Sequence, residues 1–142
     1  MKRIILAVMV TILTATSAMA DDKVVSPDTL PQSSKSFITS NFGDAMATYV
    51  EKDFDSYDVQ LSDGTKIDFA RNGEWESVES IQTPVPASIL PAAVAATVAE
   101  SNPQATIIKV EKERGNFEIK LNNMTELIVN SAGKVIGQKI DD

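Results

Sequence analysis

The chain has 142 residues, with 13 lysines and arginines against 20 aspartates and glutamates, a formal charge of −7, no cysteine and no histidine. So acidic a chain lacks the clustered cations that neutralise nucleic-acid phosphates or anionic lipid, and neither is an expected partner. The missing cysteine excludes disulfides, thiol nucleophiles and thiolate metal sites, and the missing histidine removes the usual base of a nucleophile-imidazole pair.

At the start, Lys2-Arg3 precedes an apolar run from Ile4 to Leu13 and then Ala18-Met19-Ala20, the pattern of a signal peptide (residues 1–20) cut after Ala20. The run is too short for a retained membrane span. Its removal takes away Lys2 and Arg3 and leaves a formal charge of −9. The mature chain is therefore expected in the periplasm or outside the cell, without a membrane partner.

The first element after this segment is a helix. Asp28 reads as its N-cap and Pro31 as tolerable in its first turn, with Leu30, Phe37 and Ile38 forming a stripe at helical spacing and Asn41 to Gly43 stopping it. A strand follows from Ala45 to Lys52. The period then becomes two, as Tyr57, Val59 and Leu61 alternate with Asp58, Gln60 and Ser62. Asp63-Gly64 suits a hairpin turn into a strand with Ile67 and Phe69, and Asn72-Gly73 leads into a last strand from Glu74 to Ser80.

The remainder restates this order without a gap. A shift of 60 positions lays Leu30-Pro31 on Leu90-Pro91, Val50-Glu51-Lys52 on Val110-Glu111-Lys112, Leu61 on Leu121, Thr65 on Thr125 and Gly73 on Gly133. The second helix, with Ser88 at its cap, places Leu90, Ala93, Val94 and Val98 on its apolar face; Thr97 is the polar exception, and Asn102-Pro103 ends it. Strands are expected from Ala105 to Lys112, around Phe117, Ile119 and Leu121, at Leu127 and Val129, and from Lys134 to Ile140. An internal repeat of this length marks one supersecondary unit used twice.

The expected fold is α+β: a tandem repeat of a helix plus a four-stranded antiparallel meander, with units at 21–82 and 83–142. One such sheet has exposed edges and buries little. Joined edge to edge, the units make one eight-stranded sheet with both helices on one face. Thr83-Pro84-Val85-Pro86 reads as the linker, since its prolines cannot continue a ladder.

The Leu-Pro helix start, Val50-Glu51-Lys52, Tyr57-Asp58-Val59, Asp63-Gly64 with Ile67-Asp68-Phe69, and Asn72-Gly73-Glu74-Trp75 resemble the PepSY-like, beta-lactamase-inhibitor-like secreted proteins of Bacteroidetes. The resemblance covers essentially the whole mature chain. It implies two tandem helix-plus-sheet units, a periplasmic or extracellular address, and binding and inhibition of a secreted enzyme. The beta-lactamase inhibitor itself is known for disulfides and an aromatic-rich concave sheet. This chain has no cysteine and only five Phe, two Tyr and one Trp, so no inserting residue is carried over.

Candidate chemistry is sparse. The carboxylates are scattered at strand period, as on a solvated face, and no catalytic dyad or cofactor motif stands out. Asp53, Asp55 and Asp58 cluster at an expected turn and are the one place where a hard cation such as calcium could find oxygens, although the mid-loop glycine and closing glutamate of a calcium hand are missing. Trp75 matches Val135 across the repeat and reads as core packing ahead of an interface anchor. Alternation assigns Asp58, Gln60, Lys66 and Asp68, then Glu118, Lys120, Glu126 and Ile128, to the sheet face away from the helices, joined by Tyr49 and Lys109 if Val50 and Val110 point inward.

These observations lead to an exported, non-enzymatic protein-binding module, an inhibitor if its partner is an enzyme. Tyr49, Asp58, Gln60, Lys66, Asp68 and Trp75 are the partner-binding candidates. The alternative is a periplasmic small-ligand or metal-binding sensor using the acidic turn or a pocket between helix and sheet. A carboxylate-dependent hydrolase ranks third. No cofactor is expected.

Overall fold

The computed structural model describes residues 23–140. The signal segment and the cut after Ala20 lie outside the described residues.

Among the described residues two ten-residue helices, α1 (Gln32–Asn41) and α2 (Ala92–Ser101), accompany nine strands: β1 (Lys23–Val24), β2 (Ala47–Lys52), β3 (Ser56–Leu61), β4 (Lys66–Ala70), β5 (Trp75–Glu79), β6 (Ile107–Glu113), β7 (Asn116–Leu121), β8 (Thr125–Asn130) and β9 (Val135–Ile140). The strands form a single antiparallel sheet in chain order from β1 to β9. The fold class is α+β, with one strand more than the eight expected. The extra strand, β1, has two residues and is too short to leave a periodic signal.

The helix starts differ from expectation. Pro27–Thr29 forms a short 3-10 turn whose cap is Ser26, the hydroxyl of which accepts from the Asp28 amide. Asp28 sits inside that turn and does not cap α1. Leu30 is extended, as a residue before proline prefers to be, and this breaks the chain between the turn and α1. Ser88 likewise lies inside a second 3-10 turn, Ala87–Ile89, so Pro31 and Pro91 themselves occupy the cap positions. The serine-rich α1 has little intrinsic helix preference, and its buried Ser34 and Ile38 show that packing holds it in place.

Sheet register builds the core. Val50, Val59, Ile67, Val78, Val110, Ile119 and Leu127 are paired in succession across seven strands and are all buried. Leu30, Ile38, Leu90, Val94 and Val98 join this row in one apolar cluster. Four extra residues interrupt the ladders: Thr48 in β2, Glu76 in β5, Ile108 in β6 and Ile136 in β9. The bulge at Glu76 resets the alternation, so Trp75 and Val78 both point into the core.

The two halves of the chain join where β5 pairs with β6, matching Ser77 with Glu111, Val78 with Val110 and Glu79 with Lys109. The connection after β5 is itself docked. Ser80 donates its amide to the Ile108 carbonyl at 2.9 Å, and Val85, buried, donates to Ile107 at 2.8 Å.

Candidate functional site

The inward row of valines, isoleucines and a leucine dictates what stands on the other face. Two residues apart along every strand, outward side chains form rows that cross the sheet at the strand spacing of about 4.8 Å. One row runs Glu51, Asp58, Asp68, Ser77, Glu111, Glu118 and Ile128 from β2 to β8. The next runs Tyr49, Gln60, Lys66, Glu79, Lys109, Lys120, Glu126 and Lys139 from β2 to β9. A largely acidic row therefore lies beside a lysine-rich one.

Five of the six partner-binding candidates come together here. Tyr49, Asp58, Gln60, Lys66 and Asp68 line a shallow depression of about 220 Å³, with Glu51 and the Val59 backbone region completing it. The Tyr49 hydroxyl donates to Glu51 Oε1 at 2.6 Å, which props the ring at the rim. Across β6 to β8, Lys109, Glu111, Glu118, Lys120 and Glu126 line a second depression of about 140 Å³, where Lys109 Nζ lies 2.9 Å from Glu111.

Trp75 is not on this face. Its buried ring stacks on Phe37 of α1 with centroids 5.8 Å apart, lies 6.3 Å from Phe117, and carries Lys112 Nζ at 4.0 Å from its centroid. The bulge beside it turns the indole inward, so it is unavailable as an anchor on the open sheet. The acidic turn also fails to assemble. Asp53 uses Oδ1 to accept from the Phe54 amide at 2.6 Å, while Asp58 sits on the open face of β3. Among the described residues no three carboxylates converge as a metal-holding group.

Like charges shape the electrostatics. Partial burial, a hydrogen bond to Asp68 and the charges of Asp68, Glu51 and Asp53 push the Asp58 carboxyl up to about 6. Glu118 is also raised, by burial and by its hydrogen bond to Glu113. Lys109 is raised because its hydrogen bond to Glu111 holds the ammonium, whereas burial lowers Lys112. Sequence reasoning missed Glu51, Glu111, Ser77 and Glu79. The alternation that put Tyr49 outward around Val50 does the same for Glu51, and that signal could have found it. Chemically, the face offers carboxylates, ammonium groups, a phenol and an amide, suited to hydrogen bonds and ion pairs with a partner.

Comparison with known proteins places this architecture. Residues 55–137 match the profile of a PepSY-like family described as beta-lactamase-inhibitor-like. A periplasmic protein of Bacteroides thetaiotaomicron is 32% identical, with a TM-score of 0.77 over 84% of this chain and 97% of that one. Two periplasmic proteins of Bacteroides vulgatus are 30% and 26% identical, with TM-scores of 0.78 and 0.76, covering 85% and 84% of this chain and 98% and 99% of theirs. No curated protein matches the chain. Among the described residues no helix is long and apolar enough to cross a membrane. With the family profile covering more than half its length and two solved relatives aligned over most of it, the chain belongs to the PepSY-like, beta-lactamase-inhibitor-like family.

Proposed function

We propose that this chain is an exported, non-enzymatic module that binds another protein through the open face of its sheet, and that it acts as an inhibitor where that partner is an enzyme. The observation that carries this reading is the depression in which Tyr49, Glu51, Asp58, Gln60, Lys66 and Asp68 gather. A face that is polar, shallow and built on rigid strands recognises by surface complementarity, and its charges select the partner more than they add affinity. Occlusion needs no reacting group. The periplasmic description of three relatives supports a periplasmic address after cleavage near Ala20.

In this reading the fold is a tandem of two units, 21–82 and 83–142, with both helices covering the face opposite the docking surface. Support comes from the bulges, since Thr48 and Glu76 recur as Ile108 and Ile136 at the same spacing of 60 positions. Gly73 and Gly133 have matching φ angles of 89° and 88°.

The test is affinity capture from periplasmic extract with the purified protein and with a variant carrying Asp58→Lys and Asp68→Lys. The expected result is a defined partner retained by the first and lost by the second. Equal capture by both removes the open face from the proposal.

A second reading, a cation-responsive periplasmic sensor, draws on the Bacteroides thetaiotaomicron relative, described as a candidate calcium-regulated protein, and on the Asp58 and Asp68 carboxyls in hydrogen-bond contact. Calcium would then raise the melting temperature, and an unchanged melt in millimolar calcium would discard this reading.

A further inference from the structure

The two edges of the sheet are unequal, and the seam inside the chain explains what each could accept. At the seam, β5 adds to the edge of β6 through Ser77, Val78 and Glu79, which pair with Glu111, Val110 and Lys109. The strand that corresponds to β6 in the first half is β2, where Tyr49, Val50 and Glu51 occupy the same places in the ladder to the next strand. The strand that corresponds to β5 is β9, with its bulge at Ile136 matching the bulge at Glu76. β9 pairs with β8 alone among the described residues. Its side chains show the missing neighbour: Trp75 and Ser80 are 8% and 2% exposed, whereas Val135 and Ile140 at the matching positions are 36% and 71% exposed.

The edge of β2 is occupied, but thinly. β1 contributes only Lys23 opposite Lys52 and Val24 opposite Glu51, followed by the Val25 amide on the Val50 carbonyl. Both β1 residues are exposed, and like charges set directly opposite on neighbouring strands oppose pairing. β1 therefore guards an acceptor edge whose counterpart on β6 is filled by the longer strand β5. An unprotected edge is otherwise a template for another chain.

We propose that copies of this chain join head to tail, β9 of one copy adding to the β2 edge of the next in place of that copy's own β1, in the register that joins β5 to β6. Gly137 then lies opposite Glu51, Gln138 opposite Val50, and Lys139 opposite Tyr49. The joint is heterologous, since the two surfaces differ, and so it grows into short arrays rather than closing as a two-fold dimer. The pairing of β1 holds the balance between single molecules and arrays. This inference rests on the correspondence between the two halves and is independent of what binds the open face.

The cysteine-free chain allows a direct test. Tyr49→Cys with Lys139→Cys places two thiols opposite each other across the proposed joint, within the Cα separation a disulfide needs. Within one molecule these positions lie at β2 and β9, seven strand spacings or about 34 Å apart, so any disulfide joins two copies. Under mild oxidation the expected product is a ladder of dimers, trimers and larger species. Adding Val25→Pro, which removes the amide donated to the Val50 carbonyl at the end of β1, should raise the cross-linked fraction about tenfold, the factor given by releasing roughly 1.4 kcal/mol of competing pairing. Lys23→Glu, which replaces the repulsion at Lys52 with attraction, should lower it, and this arm holds even if the proline variant misfolds. No cross-linking in any of these backgrounds overturns the proposal. Equally efficient dimers from Lys139→Cys alone also overturn it, because β9 would then be pairing with itself.

Discussion

Asp58 and Asp68 face each other directly across β3 and β4 on the open side of the sheet, with their carboxyl groups in hydrogen-bond contact. Partial burial first, and then the Asp68 carboxyl opposite, since two carboxylates so placed repel unless one keeps its proton, push the Asp58 carboxyl up to about 6 from an ordinary value of 3.8. The fold therefore holds this proton more tightly than the unfolded chain does. Below the ordinary value both states are protonated and the pair has no net effect. As pH rises from about 4 to about 6 the unfolded chain ionises first, and the fold loses stability. Raised Glu118 acts in the same direction. Asp58→Asn should flatten this part of the melting-temperature profile and stabilise the protein at neutral pH by roughly 0.2–1 kcal/mol, the range for a cross-strand pair. A melting temperature at neutral pH that falls on this substitution would contradict the repulsion.

Trp75 ties the two halves together, because its ring meets Phe37 on α1 and Phe117 on β7 across the seam. Trp75→Ala should cost about 3–5 kcal/mol, as removing a buried indole does. Lys112→Ala removes only the cation above the ring and should cost less than about 1 kcal/mol. Urea midpoints of the two variants check the order. A loss at Trp75 no larger than that at Lys112 would mean that the aromatic cluster does not bind the halves.

The alternation around Val50, Val59, Ile67, Val110, Ile119 and Leu127 was legible because a half-buried strand writes its period directly into residue type. The same period revealed most of the open face. What escaped depended on interruptions. Leu30 before Pro31 splits an expected single helix start into a 3-10 turn and α1, and the bulge at Glu76 breaks the strand period, although the match of Trp75 with Val135 already favours packing for the indole. β1 was invisible because two residues carry no period. The difference between Trp75 and Val135 invited a functional reading, yet its physical cause is position: β5 is an interior strand with β6 beside it and Phe117 of β7 within reach beyond, and β9 is an edge.

Gly73 and Gly133 end the turns that bring β5 and β9 under the helix starts. A Cβ on Gly73 would collide with the Ser33 hydroxyl and lie 2.6 Å from Pro31 Cβ; one on Gly133 would lie 2.6 Å from the Ala93 carbonyl oxygen. Gly115 has a similar φ of 82° with nothing within 4 Å of such a Cβ. Alanine at Gly115 should cost about 1–2 kcal/mol through backbone strain alone. Alanine at Gly73 or Gly133 should add overpacking of a further 1–3 kcal/mol. Equal losses at the three positions would show that the helix starts yield to the extra methyl.

Ser34 and Thr97 dock the helices onto those same turns. Ser34 is fully buried and donates its hydroxyl to the Gly73 carbonyl at 2.9 Å. Thr97, the polar residue on the apolar face of α2, reaches the Gly133 carbonyl and that of Ala93. The bond comes from the first turn of α1 in one half and from the second turn of α2 in the other, because Phe37 occupies on α1 the place that Thr97 holds on α2 and is committed to Trp75. Ser34→Ala leaves a buried carbonyl without its donor and should cost about 1–3 kcal/mol. Ser33→Ala, one residue earlier and exposed, loses a longer contact of 3.3 Å to the Asn72 carbonyl and should stay within about 0.5 kcal/mol. Thermal unfolding of the pair decides the point: if Ser33→Ala is as damaging as Ser34→Ala, the buried hydroxyl is not what holds α1 to the sheet.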